Sequence, residues 1–352
     1  MKSWPSLIHL FGVAAFFVST PAFAQAPSAT VPSRGIEGHF EEGLPALINA
    51  DKADHLRISG SGTLDGNGAP FWKAFWELRK VDPKTTNLAV ERPRLVLIQN
   101  SDDVQISGIT FKDSAFWNLH LYRCKNVVVE KVRFQVPDGI RCPSTDGTDI
   151  DSSQNVTIRG CTYRVDDDCV ALKGSKGPFA RDDKDSPPVE HIRVIDCTCE
   201  RGNGLITLGS EATIVRDVVA ENCKVTGKTN LAVLKLRPDT SQHYEDIHYR
   251  NITLDGTGTI LNVAPWKQFL DLKGQPPPTS IVRNVTLTNI KGSQGSFGTL
   301  QGNPGQTEIS DITLENIEVR LKNEKLTTSG VKNLKIENVT VNGKPFSLKP
   351  AE

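Results

Sequence analysis

The chain has 352 residues, with 41 basic and 41 acidic side chains. This balance excludes the strongly basic surface that nucleic-acid binding requires, so an acidic ligand would have to be bound by local cations. The length is sufficient for one large domain or two small ones.

The first 24 residues are typical of a secretory signal peptide. They contain one lysine near the front, an apolar run from Leu7 to Val18, and Ala22-Phe23-Ala24 before Gln25. The apolar run is too short to span a bilayer, although an N-terminal anchor is the alternative. We expect a mature chain of residues 25–352 that is secreted or periplasmic, with no membrane association.

The cysteines indicate a packed core in an oxidising compartment. Their odd number leaves at least one thiol unpaired or paired between chains. No two C-x-x-C units occur, so a zinc site is not expected. In Cys197-Thr-Cys199 both sulfurs would point to the same face of a strand, where core packing is favoured over metal binding. The seven are Cys124, Cys142, Cys161, Cys169, Cys197, Cys199 and Cys223.

After residue 100 the chain repeats a unit of two short alternating strands joined by a polar turn. Matching positions lie 22 to 38 residues apart. Alternation indicates β-structure, and repeats of this length indicate a solenoid whose coils share one core. We predict an all-β, right-handed single-stranded parallel β-helix in one domain, residues 25–352. The repeats include VQISGITF (104–111), VTIRGCTY (156–163), IHYRNITL (247–254) and LKIENVTV (334–341).

Two loops interrupt the repeats, at 174–188 and 263–280. Insertions in a solenoid tend to fall on one face, often the binding face. The second loop carries Trp266 and Phe269, which could stack against a sugar ring. Four Asn-x-Thr sequences fall at strand entries or turns, where we favour stacked, hydrogen-bonded side chains over glycosylation. They begin at Asn155, Asn251, Asn284 and Asn338.

Two aspartate clusters are expected to meet in space. STDGTDID (144–151) contains Asp146, and DDDC (166–169) contains Asp167 and Asp168. The 21 residues between Asp146 and Asp167 are about one coil, so these carboxylates would be separated by roughly the strand spacing of 4.8 Å. Three carboxylates at this range cannot all ionise freely, so one pKa should rise.

A carboxylic acid beside a carboxylate is what glycoside hydrolysis needs. One group protonates the leaving oxygen while the other activates a water. The alternative is calcium binding, with Asp146, Asp149 and Asp151 supplying oxygen ligands.

These stretches also resemble glycoside hydrolase family 28, the polygalacturonases and their pectin-degrading relatives. The resemblance covers about residues 55 to 345. The matching stretches, in order, are ISGSGTLDGNGAPFW (58–72), RPRLVLIQNSDDVQISGITFKDSAFWNLHL (92–121), STDGTDIDSSQNVTIRGCTYRVDDDCVALKG (144–174), GNGLITLGSE (202–211) and LAVLKLRPD (231–239).

The resemblance implies a role for each aspartate. Asp146 and Asp168 would hold and deprotonate the attacking water, and Asp167 would be the general acid. The family inverts the anomeric configuration in a single displacement, which agrees with carboxylates set roughly 6.5–9.5 Å apart. The implied substrate is an α-linked polysaccharide containing galacturonic acid, with no cofactor and no metal.

Several positions depart from the family pattern. Ser144 stands where the family has Asn, Asp166 where it has Gly, and Asn203 where it has the His that supports the acid. Asparagine can hydrogen-bond but cannot titrate, and we expect Asn203 to contact the substrate. The departures indicate an outlying subgroup, for which exo-acting or rhamnogalacturonan-directed hydrolysis fits as well as endo-action on galacturonan.

Four further residues are candidate substrate contacts. The family's Arg-x-Lys becomes Lys235-Leu236-Arg237, and both cations share one strand face, from which they could reach a sugar carboxylate. A solvated pair of surface charges is the alternative. His120 is either a sugar contact or a buried, bonded histidine. Lys173 would lie beside the aspartates and tune them, or form a structural ion pair.

We therefore expect a monomeric secreted hydrolase that acts on an acidic plant polysaccharide. Two other functions remain open at this point. A pectate-lyase-like enzyme would need calcium and a Lys or Arg base, and a non-catalytic β-helix would bind carbohydrate without cleaving it.

Overall fold

The computed structural model describes residues 7–10, 31–34 and 40–348, with side chains from Leu44 onward. Most of the expected signal peptide, residues 1–24, lies outside these residues. The structure contains one α-helix, α1 (Ala69–Val81), and one 3-10 turn (Ala180–Asp182) within its described part.

β-Strands form nearly all of the remaining regular structure. The strands in the first half of the chain are β1 (Leu7–Leu10), β2 (Val31–Arg34), β3 (Phe40–Gly43), β4 (Ile48–Asp51), β5 (Arg57–Gly60), β6 (Thr63–Asp65), β7 (Val96–Gln99), β8 (Asp102–Ser107), β9 (Thr110–Lys112), β10 (Leu119–Tyr122), β11 (Lys125–Glu130), β12 (Arg133–Gln135), β13 (Thr148–Asp151), β14 (Gln154–Arg159), β15 (Thr162–Arg164) and β16 (Val170–Lys173). Those in the second half are β17 (Val189–Ile195), β18 (Thr198–Arg201), β19 (Gly204–Leu208), β20 (Ile214–Glu221), β21 (Lys224–Gly227), β22 (Asn230–Leu236), β23 (His243–Gly256), β24 (Thr259–Pro265), β25 (Ser280–Gln301), β26 (Thr307–Ser329), β27 (Val331–Val341) and β28 (Lys344–Pro345).

Apart from the antiparallel pairs β2–β3 and β27–β28, the strands stack in parallel as the coils of a right-handed β-helix with three faces. One face, which we call the site sheet, is built from β4, β7, β10, β13, β16, β19, β22 and β24. After residue 100, neighbouring coils are offset by as few as 22 residues, from Thr148 to Val170, and by as many as 38, from His243 to Ile281. The offset before that point is longer, 48 residues from Ile48 to Val96, because the segment with α1 is inserted there. The predicted fold class and repeat length are therefore confirmed.

Alternation along each strand produces the core. In β8, Val104 and Ile106 are fully buried whereas Gln105 between them is exposed. Equivalent positions in successive coils stack directly, as Val104, Val127 and Val156 do. Because each such side chain gains about 1.5–3 kcal/mol on burial, the stacked columns stabilise the solenoid as a continuous core.

The Asn-x-Thr asparagines form the expected stacked contacts. Each donates its side-chain Nδ2–H to a side-chain oxygen in the preceding coil, over 2.6 to 3.2 Å. All four have a positive φ, between 50° and 56°, a conformation that asparagine adopts more readily than most residues. The donor–acceptor pairs are Asn155–Asn126, Asn251–Asn222, Asn284–Asp246 and Asn338–Asn316.

Helix α1 lies against the outside of the coils. Trp72 and Phe75 are its buried residues, and the indole Nε1–H of Trp72 donates to the carbonyl of Ser114 at 3.2 Å. Trp76 is half-buried and Arg79 is exposed. The helix therefore presents an aromatic and cationic edge next to the site sheet.

All of the cysteines except Cys142 pack inside the coils, as expected, whereas Cys142 is buried beside Trp72 of α1. Cys169 and Cys199 form a disulfide, and the other five are buried free thiols. No helix in the described part of the chain is both long enough and apolar enough to cross a bilayer.

Candidate active site

An open groove of about 880 Å³ runs along the outside of the site sheet. Helix α1 and the loop 263–280 both contribute to its walls, so the second of the two predicted insertions borders it through Trp266. Phe269 is exposed and does not line the groove. All three candidate catalytic aspartates line it: Asp146, Asp167 and Asp168.

The two aspartate clusters meet as the coil length predicted. Asp146 lies two residues before β13, and Asp167 and Asp168 precede β16, whose register with β13 is offset by 22 residues. One oxygen from each of the three carboxylates lies within 4.8 Å of the other two. This agrees with the roughly 4.8 Å expected from the strand spacing, whereas the roughly 6.5–9.5 Å that the resemblance implies is a separation of whole carboxyl groups and stays a prediction.

Asp168 is held as a carboxylate by three donors. Its Oδ1 accepts hydrogen bonds from Thr207 Oγ1 at 2.6 Å and Asn203 Nδ2 at 2.9 Å, and its Oδ2 accepts one from Lys235 Nζ at 3.0 Å. Burial alone would raise its pKa, but the charges of Lys235 and Lys173 and these hydrogen bonds outweigh burial and lower it.

Asp167 and Asp146 shift in the opposite direction. Burial, followed by the neighbouring charge of Asp168, raises the pKa of Asp167 to about 6. Burial also raises the pKa of Asp146 well above its usual range, with Asp167 and Asp149 adding to the shift. Adjacent carboxyl groups with opposed pKa shifts are the expected arrangement for a general acid beside a general base.

Lys173 balances the buried acids next to this cluster. Its Nζ lies 3.9 Å from a carboxylate oxygen of each of Asp146, Asp149 and Glu211. Burial alone would lower the pKa of Lys173, but these three carboxylates raise it, and Lys173 in turn helps to lower the pKa of Glu211 to about 2. The ammonium of Lys173 therefore lies between Asp146 and Asp149, which are two of the three residues that would have to bind calcium in the alternative function.

Ser144 and Asp166, two of the departures, hold the loop that leads to Asp146. Asp166 Oδ2 accepts the backbone N–H of Cys142 at 2.7 Å, and its Oδ1 pairs with Arg201 at 3.0 Å. Ser144 Oγ accepts a hydrogen bond from the guanidinium of Arg92 at 3.2 Å. Both residues therefore hold this loop in place through hydrogen bonds, to which Asp166 adds an ion pair.

Three of the predicted substrate contacts face the groove: Lys173, described above, Asn203 and Lys235. Asn203 is exposed there, although its amide bonds Asp168 and not the candidate acid, Asp167. Lys235 lies under the ring of Trp266, with Nζ 4.9 Å from the ring centroid, and is already paired with Asp168. Lys235 thus binds a carboxylate of the protein, whereas a sugar carboxylate was the expected partner.

His120 does not reach the groove, so the predicted sugar contact is wrong in this structure. Its side chain is fully buried, packed edge-on against Trp117 with ring centroids 5.0 Å apart. Its Nε2 lies 3.4 Å from Asp151 Oδ2. Burial, with the nearby charge of Arg94, lowers the pKa of His120 to about 4, so the ring is neutral near pH 7.

Arg237 is also buried, and its expected contact with a sugar carboxylate is not available. Its guanidinium forms two hydrogen bonds with the carboxylate of Asp239, at 2.8 and 2.6 Å, and donates to Gln268 Oε1 at 3.1 Å. Gln268 belongs to the loop 263–280, which covers Arg237. Strand β22 ends at Leu236, so Arg237 lies just beyond the strand on which the shared face was expected, and the covering loop was not foreseen.

Sequence reasoning did not identify Thr207, Glu211 or Arg92. Thr207 lies in a strand, LITL, that reads as core. The sequence feature that could have identified Thr207 is its position in β19, four residues after Asn203. Gly204 lies between them, and a β-carbon there would come within 2.6 Å of Thr207 Oγ1. The glycine thus leaves room for the hydroxyl that donates to Asp168.

Comparison with known proteins agrees with this geometry. The sequence profile described as "Glycosyl hydrolases family 28" matches residues 33–346. The chain belongs to this family. The match extends the resemblance of the individual motifs to most of the chain.

The family's curated members include exo- and endo-acting relatives of this chain. An exopolygalacturonase from Zea mays is 25% identical over 260 residues, covering 70% of this chain and 56% of the relative. Endopolygalacturonase A from Aspergillus niger is 28% identical over 283 residues, covering 78% of this chain and 70% of the relative. The chain spans about half of the length of the first plant relatives, 46% and 56%.

The fold is shared with solved structures of the family. The exopolygalacturonase of Thermotoga maritima superposes with a TM-score of 0.62 at 21% identity, covering 86% of this chain and 75% of that one. This similarity supports the right-handed parallel β-helix.

Proposed function

We propose that this family 28 chain is a secreted glycoside hydrolase that cleaves α-linked polysaccharides or oligosaccharides containing galacturonic acid. The observation that carries the proposal is the pair of adjacent carboxyl groups in the groove with opposed pKa shifts. Asp167, with its pKa raised to about 6, retains a proton that it can donate. Asp168, with its pKa lowered, is ionised and can accept one.

The reaction proceeds in one displacement. Asp167 donates its proton to the glycosidic oxygen as the bond from that oxygen to the anomeric carbon breaks. A water held by Asp146 and Asp168 attacks the anomeric carbon, and Asp168 takes the water's proton. One oxygen of each carboxylate lies within 4.8 Å of the other two, so inversion of the anomer is proposed from the family resemblance and not from the spacing.

The remaining properties follow from the same proposal. We infer an acidic plant polysaccharide as substrate, a monomeric enzyme, a secreted or periplasmic location, and no cofactor or metal in the reaction. Asp167 acts as the acid in either exo- or endo-cleavage. The loops that border the groove determine which ends of a polymer can enter.

Digestion of homogalacturonan and rhamnogalacturonan, with and without a chelator, tests the proposal. We expect chelator-resistant release of saturated products, with the first-formed anomer inverted when followed by proton NMR. Asp167→Asn should bind oligogalacturonides but turn them over about 10²–10⁴-fold more slowly. Equal turnover by the variant and the parent would remove Asp167 from the mechanism.

The two other functions predict different outcomes in the same digestion. A calcium-dependent lyase would give chelator-sensitive release of unsaturated products that absorb in the ultraviolet. A carbohydrate-binding β-helix would retain oligogalacturonides and release nothing. Either result would overturn the hydrolase proposal.

A further inference from the structure

The groove contains seven cations, but most of them already serve a carboxylate of the protein. Lys235 is paired with Asp168, and Lys173 lies among three buried acids. Arg164 and Arg201 both bind Asp138, at 2.5 and 2.8 Å. A substrate carboxylate that approached any of these would compete with an existing ion pair, so these cations are poor candidates for recognising a uronic acid.

Arg79 and Arg141 differ from the other arginines of the groove. Both line it, both are exposed, and neither has a carboxylate partner among residues 44–348. Each guanidinium lies over the ring of Trp76, with its central carbon 5.9 Å from the ring centroid for Arg79 and 5.2 Å for Arg141. The two cations therefore flank one aromatic ring in the wall that α1 contributes.

The backbone at Arg141 is held in place by two hydrogen bonds. The indole Nε1–H of Trp76 donates to the backbone carbonyl of Arg141 at 2.7 Å. The next residue, Cys142, donates its N–H to Asp166, which directly precedes the candidate acid, Asp167. This chain of contacts limits the freedom of Arg141 before any ligand arrives, and preorganisation of this kind lowers the entropic cost of binding.

We propose that Trp76, Arg79 and Arg141 form a uronate-binding subsite in the α1 wall of the groove. The inference rests on the proposed function and names the group that recognises its substrate. A planar guanidinium matches a carboxylate with two parallel hydrogen bonds, whereas the indole supplies an apolar surface for a sugar ring. The subsite would bind a galacturonate unit through its free carboxylate, and a methyl ester would lose the ionic contact.

Substitution of the two arginines tests the subsite. For Arg79→Ala and Arg141→Ala we expect KM on an oligogalacturonide to rise about tenfold or more, since hydrogen bonds to charged groups contribute about 1.5–3 kcal/mol. The kcat should change little, because the contact is remote from the breaking bond. On the methyl-esterified oligomer the same variants should match the parent. Arg141→Lys should recover part of the loss.

Lys80→Ala is the matched control, since Lys80 is an exposed cation on the same helix that does not line the groove. It should bind and cleave both oligomers as the parent does. Equal KM values for the parent and the arginine variants would overturn the proposal, as would equal rises on the free and esterified oligomers. Thermal unfolding of each variant checks that the fold is retained.

Calorimetric binding in an Asp167→Asn background separates this inference from the proposed function. Binding is measured there without turnover. Loss of affinity for the free oligomer on removing Arg79 or Arg141 supports the subsite even if the parent fails to hydrolyse galacturonan. Unchanged affinity overturns the subsite even if the parent is an active hydrolase.

Discussion

The stacked asparagines described above, which we call the asparagine ladder, and the aspartate cluster both place polar side chains in register but have opposite electrostatics. In both, polar side chains about one coil apart are stacked by the parallel strands. An asparagine amide both donates and accepts, so Asn251 can donate to Asn222 while it accepts from Asn289. A carboxylate can only accept, so stacked aspartates repel each other unless cations or protons separate them.

This difference in electrostatics explains why the reactive carboxyl groups lie in the groove and not along the ladder. The ladder is exposed, and its hydrogen bonds satisfy each member in turn. The aspartate cluster is largely buried, and it is balanced by Lys173, by Lys235 and by a proton that Asp167 retains with its pKa near 6. Burial and the repulsion from Asp168 raise the pKa of Asp167, so that it keeps the proton on which the proposed reaction depends.

The strongest test of this comparison replaces one aspartate of the cluster with asparagine, the residue that forms the ladder. Asp167→Asn should reduce turnover by about 10²–10⁴-fold, because an amide cannot donate the required proton. The pKa of Asp167 rises from 3.8 to about 6 in the folded chain, so its contribution to stability is present below pH 3.8 and lost as pH rises through 6. Above pH 6 the variant should therefore melt higher than the parent, by about 2–4 °C.

Asp103→Asn is the control for that prediction. Asp103 lies away from the groove, and hydrogen bonds from Arg57 and His55 lower its pKa. Its contribution to stability has the opposite sign, since it is present above the unfolded pKa and lost as pH falls. Activity should remain at the parental level, and a drop in turnover like that of Asp167→Asn would contradict the catalytic assignment.

Removal of the central cation should have the next largest effect. Lys173→Met leaves Asp146, Asp149 and Glu211 buried without their shared partner, and we expect the free energy of unfolding to fall by about 3–5 kcal/mol at pH 7. The loss should shrink as pH falls, because protonation then removes the repulsion. Denaturant unfolding at pH 7 and pH 5 measures it, and a loss that does not depend on pH would contradict the electrostatic explanation.

A smaller effect is expected in the pH profile of activity. The parent should lose activity as pH rises through about 6, where Asp167 gives up its proton. Lys235→Met removes the main charge that lowers the pKa of Asp168, so the acid limb of kcat/KM should move to higher pH. An unchanged acid limb would show that Asp168 is not the base.

The smallest effect is expected in the ladder itself. Asn251→Asp keeps the acceptor for Asn289 but loses the donor to Asn222, and the site is exposed to water. The loss should be about 0.5–1.5 kcal/mol, the usual contribution of one hydrogen bond. Thermal unfolding measures it, with Lys80→Ala as a surface control. A loss as large as that of Lys173→Met would remove the distinction between exposed and buried stacking.

The sequence was sufficient for the features that the coil itself repeats. Alternation and repeat length predicted the parallel β-helix, and the 21-residue spacing predicted that Asp146 would meet Asp167 and Asp168. These predictions succeed because a parallel coil converts separation along the chain into a fixed distance in space. The asparagine contacts were predictable for the same reason.

Two of the predictions that failed concern side chains that other groups cover. Arg237 follows directly after the strand that contains Lys235, and the loop 263–280 buries it. His120 lies on the outer side of its strand, yet Trp117 covers it. No periodicity in the sequence reports which loop folds over which strand.

The sequence alone therefore determined the architecture and the meeting of the three aspartates, because both follow from local alternation and one repeat length. Only the tertiary structure decided which aspartate keeps a proton and which cations remain for a ligand. Those properties depend on burial and on partners such as Asn203, Lys173 and Trp76, which distant coils and α1 bring to the groove.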